Sequence, residues 1–342
     1  MTLKQIDYLN IGLMLLALMV AFSLPFELFL FSYAVLGPLH YLTEISWLEK
    51  KQYFTNGKRD YLILVVLCLS WVALYLLVKY GFEPGSKLQV AGSKWTNHLI
   101  FIAFVAALSM VIFKKLWQKL TLIIGAVILG LVFQYFETTT YPILFSVFLP
   151  TLIHVSLFTG AFMLYGALKG RSITGVTAFI VFVICSILCF AIEYIDPNYV
   201  VSKSIQETYE GTSFNIVNYH FSELSHHVDP YTRYNLYESG FALMIQRFIA
   251  FSYTYHYLNW FSKTSIIKWN KVSKVRMRVI IVLWIASVAL YLFDYVWGLT
   301  GLLLLSMLHV FLEFPLNYRS FIGIFQEFWN ILKTGSFKPV KK

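Results

Sequence analysis

Charge is what this sequence has least of. Of its 342 residues, 13% are Asp, Glu, Lys or Arg, against roughly 25% in a soluble domain. That shortage excludes a disordered chain, a coiled coil and an ordinary cytosolic enzyme. Cysteine is scarce too. Cys68, Cys185 and Cys189 all lie in apolar runs without C-x-x-C spacing, so neither a disulfide framework nor a zinc ribbon is expected. Several signatures are missing: the H-E-x-x-H protease helix, the P-loop, the dinucleotide glycine fingerprint and the G-x-S-x-G nucleophile elbow. The histidine-box set of membrane desaturases and hydroxylases is absent. There is no strong internal repeat and no low-complexity tract.

What remains is greasy. Hydrophobic residues make up 58% of the chain, with 31 Phe, 23 Tyr and 9 Trp. Such a composition demands lipid as solvent. The aromatics suit membrane interfaces and a pocket for a flat or greasy ligand. A net charge of +10 would suggest nucleic acid in a soluble protein. Here positive cytoplasmic loops account for it, and no nucleic-acid partner is expected.

The hydropathy pattern gives about ten apolar segments: 9–32, 34–49, 61–80, 97–113, 119–136, 142–167, 173–194, 240–262, 278–296 and 299–316. The first is too long for a signal-peptide core and reads as a retained span. The shortest, 34–49, reads as a span or as a broken or re-entrant helix, with Pro38 as the break. Basic residues fix the orientation. Lys50, Lys51, Lys58 and Arg59 fall on one side, with Lys114, Lys115, Lys119, Lys169 and Arg171. So do the run from Lys263 to Arg278 and the tail from Arg319 to Lys342. The other side holds Lys87, Lys94, Lys203 and Arg233. The positive-inside rule therefore places the C-terminus in the cytoplasm. With ten crossings the N-terminus is cytoplasmic too; without 34–49, nine crossings put it outside.

The expected protein is an all-α, polytopic integral membrane protein of about ten transmembrane helices. It is read as one membrane domain, 1–342, with a folded extracytoplasmic lid at 195–239 between the seventh and eighth crossings. A connection of that length is usually functional.

Polar groups inside lipid are expensive and mark sites or pathways. Four histidines fall inside apolar helices: His40, His154, His256 and His309. His98 sits at the outer edge of a span, close to water, and is set aside. Two of the four carry a carboxylate one turn later, His40 with Glu44 and His309 with Glu313. Positions i and i+4 share a helix face, so each acid is placed to ligate the same metal or to orient a ligand. Asn259, near His256, is a further candidate for that role. Arg247 is read as a structural ion pair with Glu238 or Glu193. In the lid, His220, Glu223, His226, His227 and Asp229 form a second cluster. Turns and caps explain such a cluster more often than a metal does; His220 is its best candidate ligand. A single intramembrane His is more often a helix–helix hydrogen-bond partner. Four together, two with matched acids, point to a shared site.

These motifs resemble, in order, those of the bacterial and archaeal integral-membrane beta-carotene 15,15'-dioxygenases, which form retinal. That family has P-H-G-A-L-D; this chain has Pro38-Leu39-His40-Tyr41-Leu42-Thr43-Glu44. The family's I-H-F-G-x-x-D is matched by Ile153-His154-Val155-Ser156, without the acid. Its H-x-x-x-H helix is matched by Tyr255-His256-Tyr257-Leu258-Asn259-Trp260, with one His. Its P-H-M-x-x-x-D is matched by Leu308-His309-Val310-Phe311-Leu312-Glu313. The resemblance implies a non-haem Fe(II) held by His40, His154 and His256, with His309 as a fourth ligand. It also implies oxygenase chemistry on a carotenoid or related isoprenoid lipid, and a bacterial inner-membrane location.

Two other readings stand beside it. One is a transporter in which buried His and Glu relay protons or bind a small solute. The other is a non-catalytic subunit that docks a protein partner through the 195–239 loop.

Overall fold

The computed structural model describes residues 2–136, 140–193, 199–225 and 236–337. Among them every regular element is helical. In chain order these are α1 (Leu3–Ser23), α2 (Pro25–Phe31), α3 (Gly37–Lys50), α4 (Tyr61–Leu76), α5 (Lys87–Ile112), α6 (Leu116–Tyr135) and the short α7 (Thr140–Pro142). There follow α8 (Thr159–Gly170), α9 (Ile173–Ala191), α10 (Lys203–Gly211), α11 (Phe214–Leu224), α12 (Gly240–Ser262), α13 (Thr264–Ile267), α14 (Lys274–Phe293), α15 (Tyr295–Gly301) and α16 (Leu303–Thr334). Wide π-type turns occupy Ser32–Leu36, Leu77–Gly81 and Ile143–Phe158.

The helix starts are written in serine. Ser86, Ser172, Ser202, Ser239 and Ser273 each accept a hydrogen bond from the backbone N–H three residues on. Each satisfies one of the orphan donors at a helix N-terminus. Thr2 and Gln5 form a reciprocal capping box at α1.

Eight helical runs are long and apolar enough to cross a membrane, or nine if the 47° bend between α15 and α16 lies within one span. The protein is therefore an all-α, polytopic membrane protein. α12 falls outside that set although its 23 residues would reach about 35 Å. It carries Gln246, Arg247, Ser252, Thr254, His256 and Asn259, all buried. Its neighbours are α1, α2, α9 and α11, so protein rather than lipid surrounds its polar groups.

One expected boundary moves. The break between the first two apolar segments lies at Leu24–Pro25, not near residue 33. Pro25 occupies the first turn of α2, where its missing N–H costs nothing, and Leu24 leaves helical geometry ahead of it. Nor does Pro38 break the second segment. Pro25–Lys50 runs on as one 26-residue span, because the π-type turns just upstream absorb the missing bond. There Gly37 N–H reaches back to Ser32 O.

The chain divides into two compact units. The first comprises 1–43, 155–301 and 320–342. α12 is its centre. Asp7 accepts from the Ser172 and Thr174 hydroxyls at 2.8 and 2.7 Å, tying α1 to α9. The 195–239 segment supplies α10 and α11. Tyr209 donates to Gln246 at 2.5 Å and Asn218 to the Ala242 carbonyl at 2.9 Å, so these two helices are docked. Tyr199 donates to Glu27 at 2.8 Å. Burial, then the Glu27 carboxylate, push its phenol well above the ordinary range and keep it a donor.

The second unit comprises 44–154 and 302–319. α5 packs on α4 and α6 around Phe101, Ala126 and Tyr141. Tyr318 donates to the Phe104 carbonyl at 3.1 Å. Lys119 and Asp60 form a buried ion pair at 2.6 Å.

Candidate metal centre

Within the first unit, α3 carries His40 and α12 carries His256. Their Nε2 atoms lie 3.0 Å apart. Thr159 Oγ1 stands 2.7 Å from His256 Nδ1. The Trp260 ring lies edge-on to His40 at 5.5 Å, and its Nε1 donates to Thr43 Oγ1 at 3.0 Å. The Tyr41 and Tyr257 hydroxyls meet at 3.2 Å.

The second unit holds a parallel arrangement. His154 comes from the π-type stretch and His309 from α16. Their Nε2 atoms are 3.2 Å apart. Glu313 Oε2 is 3.2 Å from His154 Nδ1. Glu44 and His309 offer ligand atoms within 4.8 Å of each other. On α3 itself, Glu44 follows His40 by one turn.

All four imidazoles and both carboxylates are at most 8% exposed, and Asn259 is 5% exposed. The four histidines thus gather as two pairs, 40 with 256 and 154 with 309. Each matched acid also lies beside an imidazole of its own unit. Glu313 thus contacts His154, on another element.

The remaining candidates divide. His220 lies on α11 and contacts Glu223, 2.9 Å away and one turn along the same helix. His226, His227 and Asp229 lie outside the described residues. His98, expected near water, is 1% exposed and its Nδ1 lies 3.0 Å from the Tyr141 hydroxyl. Gly130 makes room for it, since a Cβ there would come within 2.6 Å of His98 Nε2. Arg247 donates to the Ile192 carbonyl at 3.3 Å and lies 4.5 Å above the Phe22 ring.

One neighbour of the His40–His256 pair, Thr159, escaped the sequence reading, and Trp260 entered it only as a departure from the motif. Thr159 faces His256 from another helix, and a threonine in an apolar run carries no local signal. Trp260, standing where the resembled family has its second His, fills the space beside His40.

The donor chemistry fits a divalent transition metal. Imidazole suits iron, zinc or copper. With metal–nitrogen bonds of about 2.0–2.1 Å, two nitrogens on one ion stand roughly 3 Å apart. The same separation also fits an N–H···N hydrogen bond between two neutral rings.

Fold and site together define a polytopic helical membrane protein with buried histidine pairs. No protein family matches the chain, and neither a curated protein nor a solved structure is found to match it.

Proposed function

We propose that this protein is an integral-membrane, metal-dependent oxygenase acting on a carotenoid or related isoprenoid lipid. His40, His154, His256 and His309 are the nitrogen ligands. The reading takes α12 as a crossing, which gives ten, with both termini cytoplasmic.

One observation carries it. In each unit two buried imidazoles turn their Nε2 atoms toward each other while Nδ1 of one faces an oxygen, from Thr159 or from Glu313. Metal-binding histidines commonly engage their second nitrogen in this way, which fixes the tautomer and frees the first. Neutral imidazoles would leave an ion its positive charge, and Glu44 adds a hard oxygen donor. A bound ferrous ion supplies activation of dioxygen. The chain's own part is to hold the rings, exclude water and pack an apolar substrate among Phe and Tyr.

The test is elemental analysis of detergent-purified protein, alone and as His154→Ala and His309→Ala. Stoichiometric metal that disappears in both variants is expected. No metal after anaerobic purification with added Fe(II) overturns the proposal.

A second reading draws on the same contacts. A His–His–Glu chain also passes protons, and transport driven by a pH gradient in proteoliposomes, with no bound metal, would establish it.

A further inference from the structure

The first unit contains an apolar groove of about 540 Å³ between the α8, α9 and α16 segments. We infer that it holds the chain of a rigid, conjugated lipid drawn sideways from the bilayer. The inference rests on the oxygenase reading and adds where the substrate lies.

Its walls are Leu164, Phe179, Phe182, Phe248 and Phe321, with Gly160 at the base. The lining offers almost nothing to a water-soluble ligand. Ser186 is already committed, donating to the Phe182 carbonyl of its own helix at 2.9 Å. At the mouth, Leu157, Ile187 and Phe325 are 54%, 58% and 74% exposed. Leu157 and Ile187 belong to runs with the length and apolarity of membrane spans, so what reaches the mouth beside them is hydrocarbon.

The groove adjoins the histidine pair of its own unit. Gly160 follows Thr159, whose hydroxyl stands at His256 Nδ1. Phe182 packs on Tyr255 at 5.5 Å, the residue before His256. Glycine at position 160 keeps the groove open beside Phe179 and Phe182. A Cβ there would meet Phe182 at 3.3 Å and Phe179 at 3.5 Å.

The wall chemistry selects the occupant. Aromatic faces pack best against flat, rigid groups. A saturated acyl chain would lose rotational freedom at bond after bond on entering, whereas a conjugated chain has little to lose.

The experiment is native mass spectrometry of delipidated, detergent-purified protein. The probes are all-trans-parinaric acid, a conjugated tetraene, and stearic acid, its saturated equal in length. The expected result is a single adduct that prefers parinaric acid. Gly160→Phe should fill the base and Ile187→Trp should close the mouth, each weakening binding about tenfold. Gly166→Phe, on the same helix but with open space around it, should bind as the parent does. Equal binding of stearic acid, or undiminished adduct in the folded variants, overturns the inference. If Gly160→Phe does not fold, Ile187→Trp decides. Metal content of the same samples separates the two proposals: adduct without metal sinks the oxygenase reading alone, and metal without adduct sinks the groove alone.

Discussion

Thr159 is the residue on which the metal proposal bears most sharply, because its hydroxyl faces His256 Nδ1 and not the proposed ligand atom Nε2. If His256 binds through Nε2, its Nδ1 must carry the proton, and the Thr159 oxygen 2.7 Å away accepts it. Thr159→Val keeps the shape and removes the acceptor. The expected outcome is a loss of metal affinity of about 10–100-fold, read by chelator competition, with restoration in Thr159→Ser. If the His40–His256 contact is only a hydrogen bond between rings, valine leaves metal content unmoved and lowers the melting temperature instead. This partner was illegible in the sequence for a physical reason. Histidines announce themselves in lipid by their cost, and the four His were singled out that way, with Glu44 and Glu313 added by their spacing; all six are buried. A hydroxyl is cheap, since a Thr can bond to its own helix, so its role appears only once another helix is in place. The pairing of 40 with 256 and 154 with 309 was equally hidden, because periodicity says which residues share a helix face but not which helices meet.

At the scale of elements, apolar runs located the long helices. The boundary at Leu24–Pro25 and the continuity through Pro38 did not follow, because hydropathy averages over a window while a break depends on one missing N–H and the turns beside it. α12 was legible as apolar, yet its burial was not: a helix enclosed by protein can carry Arg247 and His256 where a lipid-facing one cannot. Close helix contacts escape a hydropathy profile as well. A Cβ on Gly323 of α16 would fall within 2.7 Å of the Tyr165 ring of α8. Gly323→Ala is therefore expected to destabilise the protein by about 1–3 kcal/mol through forced repacking. Gly166→Ala, with nothing within 4 Å, should be neutral or stabilise by up to about 1 kcal/mol, since alanine is the better helix former. Thermal unfolding in detergent, followed by tryptophan fluorescence, measures both. Equal effects of the two substitutions would remove the α8–α16 contact from the account.

For the whole molecule the deciding question is how many times the chain crosses the membrane, and parity answers it. The proposed topology, drawn from the positive-inside rule, has Lys274 inside and the segment with α10 and α11 outside. Ten crossings place Lys4 inside, whereas nine place it outside with every later loop unchanged. Lys4, Ser204 and Lys274 are all exposed, while Cys68, Cys185 and Cys189 are buried and give little background. Single cysteines at the three positions, treated in intact cells with a membrane-impermeant maleimide, therefore report three independent facts. Ser204→Cys should label, and Lys274→Cys should label only after the membrane is opened. Reversal of either would invert the orientation and place the 195–239 segment in the cytoplasm. Lys4→Cys should behave like Lys274→Cys, because Pro25–Lys50 is long enough to cross unaided and α12 adds the tenth passage. Labelling of Lys4→Cys in intact cells would mean an odd number of crossings. α12 lies between Ser204 and Lys274 and crosses whenever those two report opposite sides, so the missing passage would fall before Ser204, with the run carrying His40 and Glu44 as the first candidate. His40 would then sit on a run that does not cross, and the membrane-embedded pairing of His40 with His256 would lose its topological basis.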